Sequence, residues 1–227
     1  MHYFIPYKLP SKKRVLIMTA VTVERDAVLR GLHNNSRFDV LAAGVGSVAA
    51  AVSTVKALAA AEYGLVISIG IGGGFSGKAD VGSLVVATTI VVADLGAQTA
   101  NGFRSVDELG FGFGCTQLQI DPNLVERIAG ALLSAKLPVC TGPVLTVSTV
   151  TGTAERSLEL TTRIPDAMAE AMEGYGVGCA AFDRKVPVLE IRAISNMVGP
   201  RDRATWRVPE ALNVLEAASA VLTEVLL

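Results

Sequence analysis

The sequence holds few of the residues from which metal centres and covalent cross-links are built. Its 227 residues include two histidines, His2 and His33, and three cysteines, Cys115, Cys140 and Cys179, none in a CxxC pair. That usage argues against a zinc site or a disulfide scaffold and suits a reducing compartment. An excess of charge of either sign is also missing. Twenty Lys and Arg stand against 21 Asp and Glu, a formal net charge of -1, which makes no electrostatic case for nucleic acid. Long apolar runs are absent too, despite a mean hydropathy of +0.47. The longest uncharged stretches, such as Val40 to Val55, are rich in Ala and interrupted by Gly and Ser, unlike a membrane span. No signal-peptide core precedes the basic Lys12-Lys13-Arg14. We see no linker, repeat or low-complexity segment. The expectation is a cytoplasmic protein with a flexible tail over 1–13 and one domain over 14–227.

What is present is material for a large core, with 51% hydrophobic and 18% charged residues. Val15 to Met18 reads as a first buried strand, and a helix follows from Glu24 to about Leu32, with Thr22 as its N-cap. Val40 to Ala43 reads as a second strand. A helix from Ser47 to Tyr63 follows, with Val48, Val52, Val55 and Ala59 at helical spacing and Gly64 as its stop. Leu65 to Ile69 is a third strand running into the glycine loop Gly70 to Gly74. That loop is not a dinucleotide fingerprint: Phe75 occupies the third glycine position, and no helix start follows to hold a phosphate. Leu84 to Val92 is a strand, and Asp94 to Gly114 is a long excursion whose Phe103, Phe111 and Phe113 could reach a pocket. Asp121-Pro122 opens a helix to about Ala135, Val144 to Val150 is a strand, and Glu155 to Thr162 is a short helix. Pro187 to Ile194 is the last central strand and Pro209 to Leu226 a closing helix. Alternating strands and helices predict a mostly parallel sheet covered on both faces.

Two neighbouring stretches concentrate the chemistry. Ala169 to Phe182 is built of small residues around Glu173, and its glycines form a helix only if tertiary contact holds it. An acid in so tight a setting needs donors, and ligand hydroxyl groups would serve. The strand that follows ends at Ser195-Asn196 and a turn at Gly199-Pro200. Ligands of open α/β sheets collect at the carboxyl ends of strands, so Glu173 and Asn196 are candidates for one pocket. Glu24, just past the first strand, is either an acid suited to the helix dipole or a third member of that pocket.

These residues resemble the purine nucleoside phosphorylase and nucleosidase superfamily. Ala43-Gly-Val-Gly-Ser-Val-Ala-Ala-Ala51 is similar to that family's SGIGKVAAA-type segment, and Gly70 to Gly74 to its glycine-rich loop. Ala171-Met-Glu173 resembles its E-M-E motif with the first acid replaced. Arg192-Ala-Ile-Ser-Asn196 resembles its RAISD motif with Asn in place of Asp. The resemblance implies a three-layer α/β/α, nucleoside phosphorylase-like fold with a mixed, mostly parallel central sheet. It implies a homodimer or higher homo-oligomer, a small-molecule nucleoside substrate, and neither a metal nor an organic cofactor. In that setting Glu24 activates water, Glu173 binds the ribose 2′- and 3′-hydroxyls, and Met172 packs under the sugar. Gly72 belongs to the glycine-rich substrate loop, and the backbone near Thr153 lies beside the base. Asn196 followed by Val198-Gly-Pro-Arg-Asp202 and Trp206 resembles a hydrolytic branch whose substrate carries a benzoate on its sugar side.

Breaking an N-ribosidic bond needs a base for the attacking water and a partner for the departing purine. Asn196 offers one carbonyl acceptor and one NH₂ donor. These match an N7 proton and the O6 of hypoxanthine or guanine, whereas the amino group of adenine would meet a second donor. The expected reaction is therefore hydrolysis that releases a 6-oxopurine. Arg201 is the favoured partner for a substrate carboxylate, with Arg203 and Arg207 nearby and Trp206 as a stacking surface. A 6-oxopurine phosphorylase is the enzymatic alternative, with Lys78 as the one cation near the glycine loop, and a non-catalytic nucleoside-binding protein is the other.

Overall fold

In a computed structural model, residues 5–6, 13–111 and 116–226 are described. Most of the expected tail, along with Phe113 and Cys115, lies outside them.

Strand β1 (Arg14–Thr19) alternates its side chains between two cores, which is why it reads as a continuous apolar run. Val15 and Ile17 join a cluster with Val28 of helix α1 (Thr22–Gly31), its C-cap Leu32, and Leu215 and Leu222 of helix α6 (Val208–Val225). Leu16 and Met18 join another with Ala50 and Ala57 of helix α2 (Ser47–Ala60) and Val177 and Ala181 of helix α5 (Gly174–Asp183). β1 pairs in parallel with β2 (Phe38–Ala42) on one side and β3 (Tyr63–Gly74) on the other. β3 pairs in parallel with β10 (Val188–Met197) and antiparallel with the short β9 (Ala169–Ala171). β9 lies parallel to β8 (Val139–Thr146), and β8 parallel to β4 (Leu84–Val92). β4 returns antiparallel to β10, so β3, β9, β8, β4 and β10 close a ring of paired strands. Strand β7 (Gln117–Gln119) pairs with β4 outside that ring. Helix α3 (Pro122–Ser134) packs in the same cluster as α1 and α6, while Leu160 of helix α4 (Ala154–Arg163) belongs to a third cluster with Phe75 and Val198.

Several expectations need correction. Gly70 to Gly74 is not a loop but the end of β3. The missing side chains there make room for groups from neighbouring strands and from α1. A Cβ on Gly70 would stand 2.7 Å from Glu24 Oε1 and 3.0 Å from Arg192 Nη1. Helix α2 ends at Ala60, and Tyr63 opens β3. The apolar periodicity located this helix but not its buried face. Val48 is 80% exposed and Val52 49%, whereas Ala50, Thr54 and Ala57 point inward. The reason is α5, whose Gly176 lies so close that a Cβ would meet Ser47 O at 1.9 Å. Only small side chains fit between the two helices. The Asp94–Gly114 excursion contains a hairpin, β5 (Gly96–Thr99) with β6 (Gly102–Ser105). Phe103 there lies under Arg163, 4.3 Å from guanidinium to ring centre, and Phe111 is exposed; neither reaches the cavity described below.

Candidate active site

The carboxyl ends of β1, β3 and β10 and the segment from β9 into α5 enclose a cavity of about 260 Å³. Glu24, Gly72, Met172, Glu173, Asn196, Arg201 and Trp206 all line it. Thr153 does not. Its hydroxyl accepts the N–H of Arg156 at 3.2 Å and caps α4, while Thr151, two residues earlier, faces the cavity.

Glu24 sits in the first turn of α1, where Val21 rather than Thr22 is the N-cap and has no side-chain acceptor to offer. Glu24 fills that role itself. Its Oε2 accepts the N–H groups of Ala20 at 2.9 Å and Val21 at 3.2 Å, and Oε1 accepts that of Ile71 at 2.9 Å. Burial pushes its carboxyl above the usual range, opposed by the Ile71 N–H and by the charge of Arg192. Glu173 is held from two sides. Gly46, at φ 92, turns its N–H onto Oε1 at 3.1 Å, and Arg192 Nη1 donates to Oε2 at 3.3 Å. A φ of that sign is routine for glycine alone.

Arg192 is the hub behind the cavity. It is almost wholly buried, and besides Glu173 it donates to Glu190 Oε1 at 2.8 Å and Ser68 Oγ at 3.0 Å. The acids around it hold the guanidinium charged against its own desolvation. Glu190 is fully buried with Oε2 unpartnered, and burial raises its pKa while Arg192 lowers it. Gly174 covers it so tightly that a Cβ would stand 2.2 Å from Oε2. Gly174→Ala is therefore expected to destabilise the fold by about 1–3 kcal/mol through overpacking. A thermal melt checks this, and an unchanged melting temperature contradicts it.

Asn196 is half-buried at the end of β10. Its Oδ1 accepts from Ser195 Oγ at 2.8 Å and its Nδ2 donates to Met197 O at 3.0 Å. One lone pair and one N–H remain for a ligand. Arg201 lies 5.1 Å from the ring centre of Trp206, at the cavity rim. Lys78 is exposed and lies outside the cavity lining.

Sequence reasoning missed one group that lines the cavity and one that lies behind it. Glu170 of β9 is 5% exposed and lines the cavity with Thr151. It accepts the Thr151 N–H at 2.8 Å and bonds the Thr151 hydroxyl. Burial raises its pKa, with the Thr151 bonds opposing. An acid inside the apolar run Ala167–Ala171 was the available signal for it. Arg192 shows in the sequence only as the first residue of the Arg192–Asn196 motif.

The sequence pattern of the phosphorylase superfamily matches residues 18–227. Among curated proteins, the chain is 51% identical to futalosine hydrolase of Streptomyces coelicolor, over 93% of this chain and 96% of that one. It is 46% identical to futalosine hydrolase of Acidothermus cellulolyticus, over 91% and 89%. Among solved structures, the 5′-methylthioadenosine/S-adenosylhomocysteine nucleosidase of Neisseria meningitidis superposes with a TM-score of 0.79 at 19% identity, covering 93% of this chain and 99% of that one. This chain belongs to the phosphorylase superfamily.

Proposed function

We propose that the protein is an N-ribosyl hydrolase that cleaves futalosine to hypoxanthine and dehypoxanthine futalosine, a step of menaquinone biosynthesis. The observation that carries this reading is the meeting of Glu24, Glu173 and Asn196 in one cavity. The identity to futalosine hydrolases across nearly the whole chain supports the substrate. Water attacks C1′ while Glu24 takes its proton, general-base help worth roughly 10²–10⁴-fold. Glu173 accepts the ribose hydroxyls, and Met172 and Gly72 bound the sugar side. Asn196 cannot deliver a proton. As the C1′–N9 bond breaks, N7 takes a proton from solvent, and Asn196 holds that N7–H form through Oδ1 and meets O6 with its spare N–H, stabilising charge where it develops.

Product analysis with futalosine, inosine and methylthioadenosine, each with and without phosphate, tests the reading. Phosphate-independent release of hypoxanthine from futalosine is expected. Strict phosphate dependence would make the protein a phosphorylase, and the absence of release would leave a binding protein. Lys78, the cation offered for the phosphorylase alternative, does not line the cavity.

Arg201 is assigned to the substrate carboxylate, with Trp206 stacking on the benzoate ring. Arg201→Ala should raise KM for futalosine about tenfold, the scale of one lost charge-assisted hydrogen bond. KM for inosine should barely move, and equal effects on both would remove the assignment. The protein acts in the cytoplasm as a homodimer. Its proposed dimer face is the exposed stripe Val45, Val48, Val52 and Val55, which reaches the cavity edge at Val45. Val52→Asp should give monomers in light scattering, and an unchanged mass would move the interface elsewhere.

A further inference from the structure

The cavity holds an acid that the reaction described above leaves idle. Glu170 of β9 is in register with Gly73 of β3. On the other side of β3, the same Gly73 pairs with Asn196 of β10 just past a register shift, and a Cβ on Gly73 would point towards Asn196 Nδ2. Residues opposite one another on paired strands project from one face of a sheet. Glu170, Gly73 and Asn196 thus form a single rung whose middle member has no side chain. Two strand spacings put the outer backbones about 9.6 Å apart. The space above Gly73 is narrow as well as flat: a Cβ there would stand 2.9 Å from Val198 Cγ2 and 3.3 Å from Asn196 Nδ2. It is a slot for the edge of a planar ring with a polar group at each end.

The chemistry of the two ends differs. Asn196 both donates and accepts. Glu170, when ionised, only accepts, and Thr151 uses part of the capacity of its two oxygens. Among the described residues Glu170 forms no ion pair. A buried carboxylate with no direct ion pair gains from one more donor. In a 6-oxopurine, N7 and O6 lie on one edge, and the next atom past O6 is N1, which carries a hydrogen. In a 6-aminopurine, N1 is a bare acceptor.

We infer that Glu170 is a specificity-determining residue that accepts the N1–H of a 6-oxopurine whose O6 and N7 face Asn196. The inference rests on the hydrolase reading and names a second contact for the same leaving base. Two groups then reject 6-aminopurines together: the Asn196 N–H opposes the exocyclic amino group, and the Glu170 carboxylate opposes the bare N1. A purely structural Glu170 would only tie Thr151 to β9.

Glu170→Gln separates the two roles. Glutamine can still accept the Thr151 N–H and donate to the Thr151 hydroxyl. Its second amide N–H then points into the slot, where it opposes N1–H and matches a bare N1. The test measures kcat/KM for futalosine and for its 6-amino counterpart in wild type and variant. The 6-oxo to 6-amino preference should fall at least tenfold, with futalosine turnover dropping and turnover of the 6-amino substrate holding or rising. An equal fall on both substrates would overturn the assignment. Should the variant not fold, wild type is assayed on futalosine methylated at N1. A loss of at least tenfold is expected, and undiminished turnover overturns the assignment. If wild type releases no hypoxanthine from futalosine, the hydrolase reading fails and this one with it. If wild type prefers the 6-oxo substrate and the variant keeps that preference, only the role of Glu170 fails.

Discussion

Glu24→Gln is expected to lower kcat for futalosine by roughly 10²–10⁴-fold, the range for loss of a general base. KM should change far less, because the ribose contacts belong to Glu173 and the base contacts to Asn196. The variant should still fold. Its amide cannot accept from both the Ala20–Val21 pair and Ile71, and a stranded N–H costs about 1–3 kcal/mol against a usual margin of about 5–15. The pH profile gives an independent check. Burial raises the Glu24 pKa, and the base acts only when ionised. In wild type, kcat/KM should therefore fall with decreasing pH through a value above the ordinary glutamate range. That limb should vanish from the residual activity of the variant. A limb that persists unchanged in Glu24→Gln would assign the base to another group.

Arg192→Met should give the largest loss of stability. The methionine fills most of the space but leaves Glu173 and Glu190 beside an apolar thioether. Removing one partner of a buried charge cluster costs about 3–5 kcal/mol. For a chain of this length that is a fall in melting temperature of roughly 6–20 °C. The deficit should depend on pH, with a definite sign. Burial already raises the folded-state pKa of Glu190 and of Glu24, and the charge of Arg192 holds both down. Without it they rise further, so the folded state keeps protons that the unfolded chain has released. Stability then falls as pH rises through those folded values and recovers as pH is lowered. Melts at pH 5 and pH 8 should show the larger deficit at pH 8. A deficit equal at both, or below about 1 kcal/mol, would mean that the acids do not rely on this arginine.

The outcome at α2 shows how far a pattern reaches. Valines at helical spacing announced a helix correctly, because any one-sided apolar stripe has that period. They did not reveal which side meets the core. That depended on α5, whose glycines bring it within a backbone's width of Ser47, leaving room only for Ala50, Thr54 and Ala57. The glycine run of β3 misled in the opposite direction. Glycines suggest a turn by local preference, but Gly70 and Gly73 are empty so that side chains from other elements can occupy the space above them.

The chain's order of residues was enough for the alternating elements and for the candidacy of Glu24, Glu173 and Asn196. Each of these shows in neighbours a few positions apart, or in a chemical type out of keeping with its surroundings. The rest of the site was settled by packing. Glu170 matters because strand register sets it across Gly73 from Asn196. Arg192 matters because acids from separate elements converge on it. Thr153 stays outside the lining, with its hydroxyl on a helix start, while Thr151 of the same segment faces the cavity. Those relations join groups up to 168 positions apart, such as Glu24 and Arg192, and hydrophobic period and local propensity carry no information over such distances.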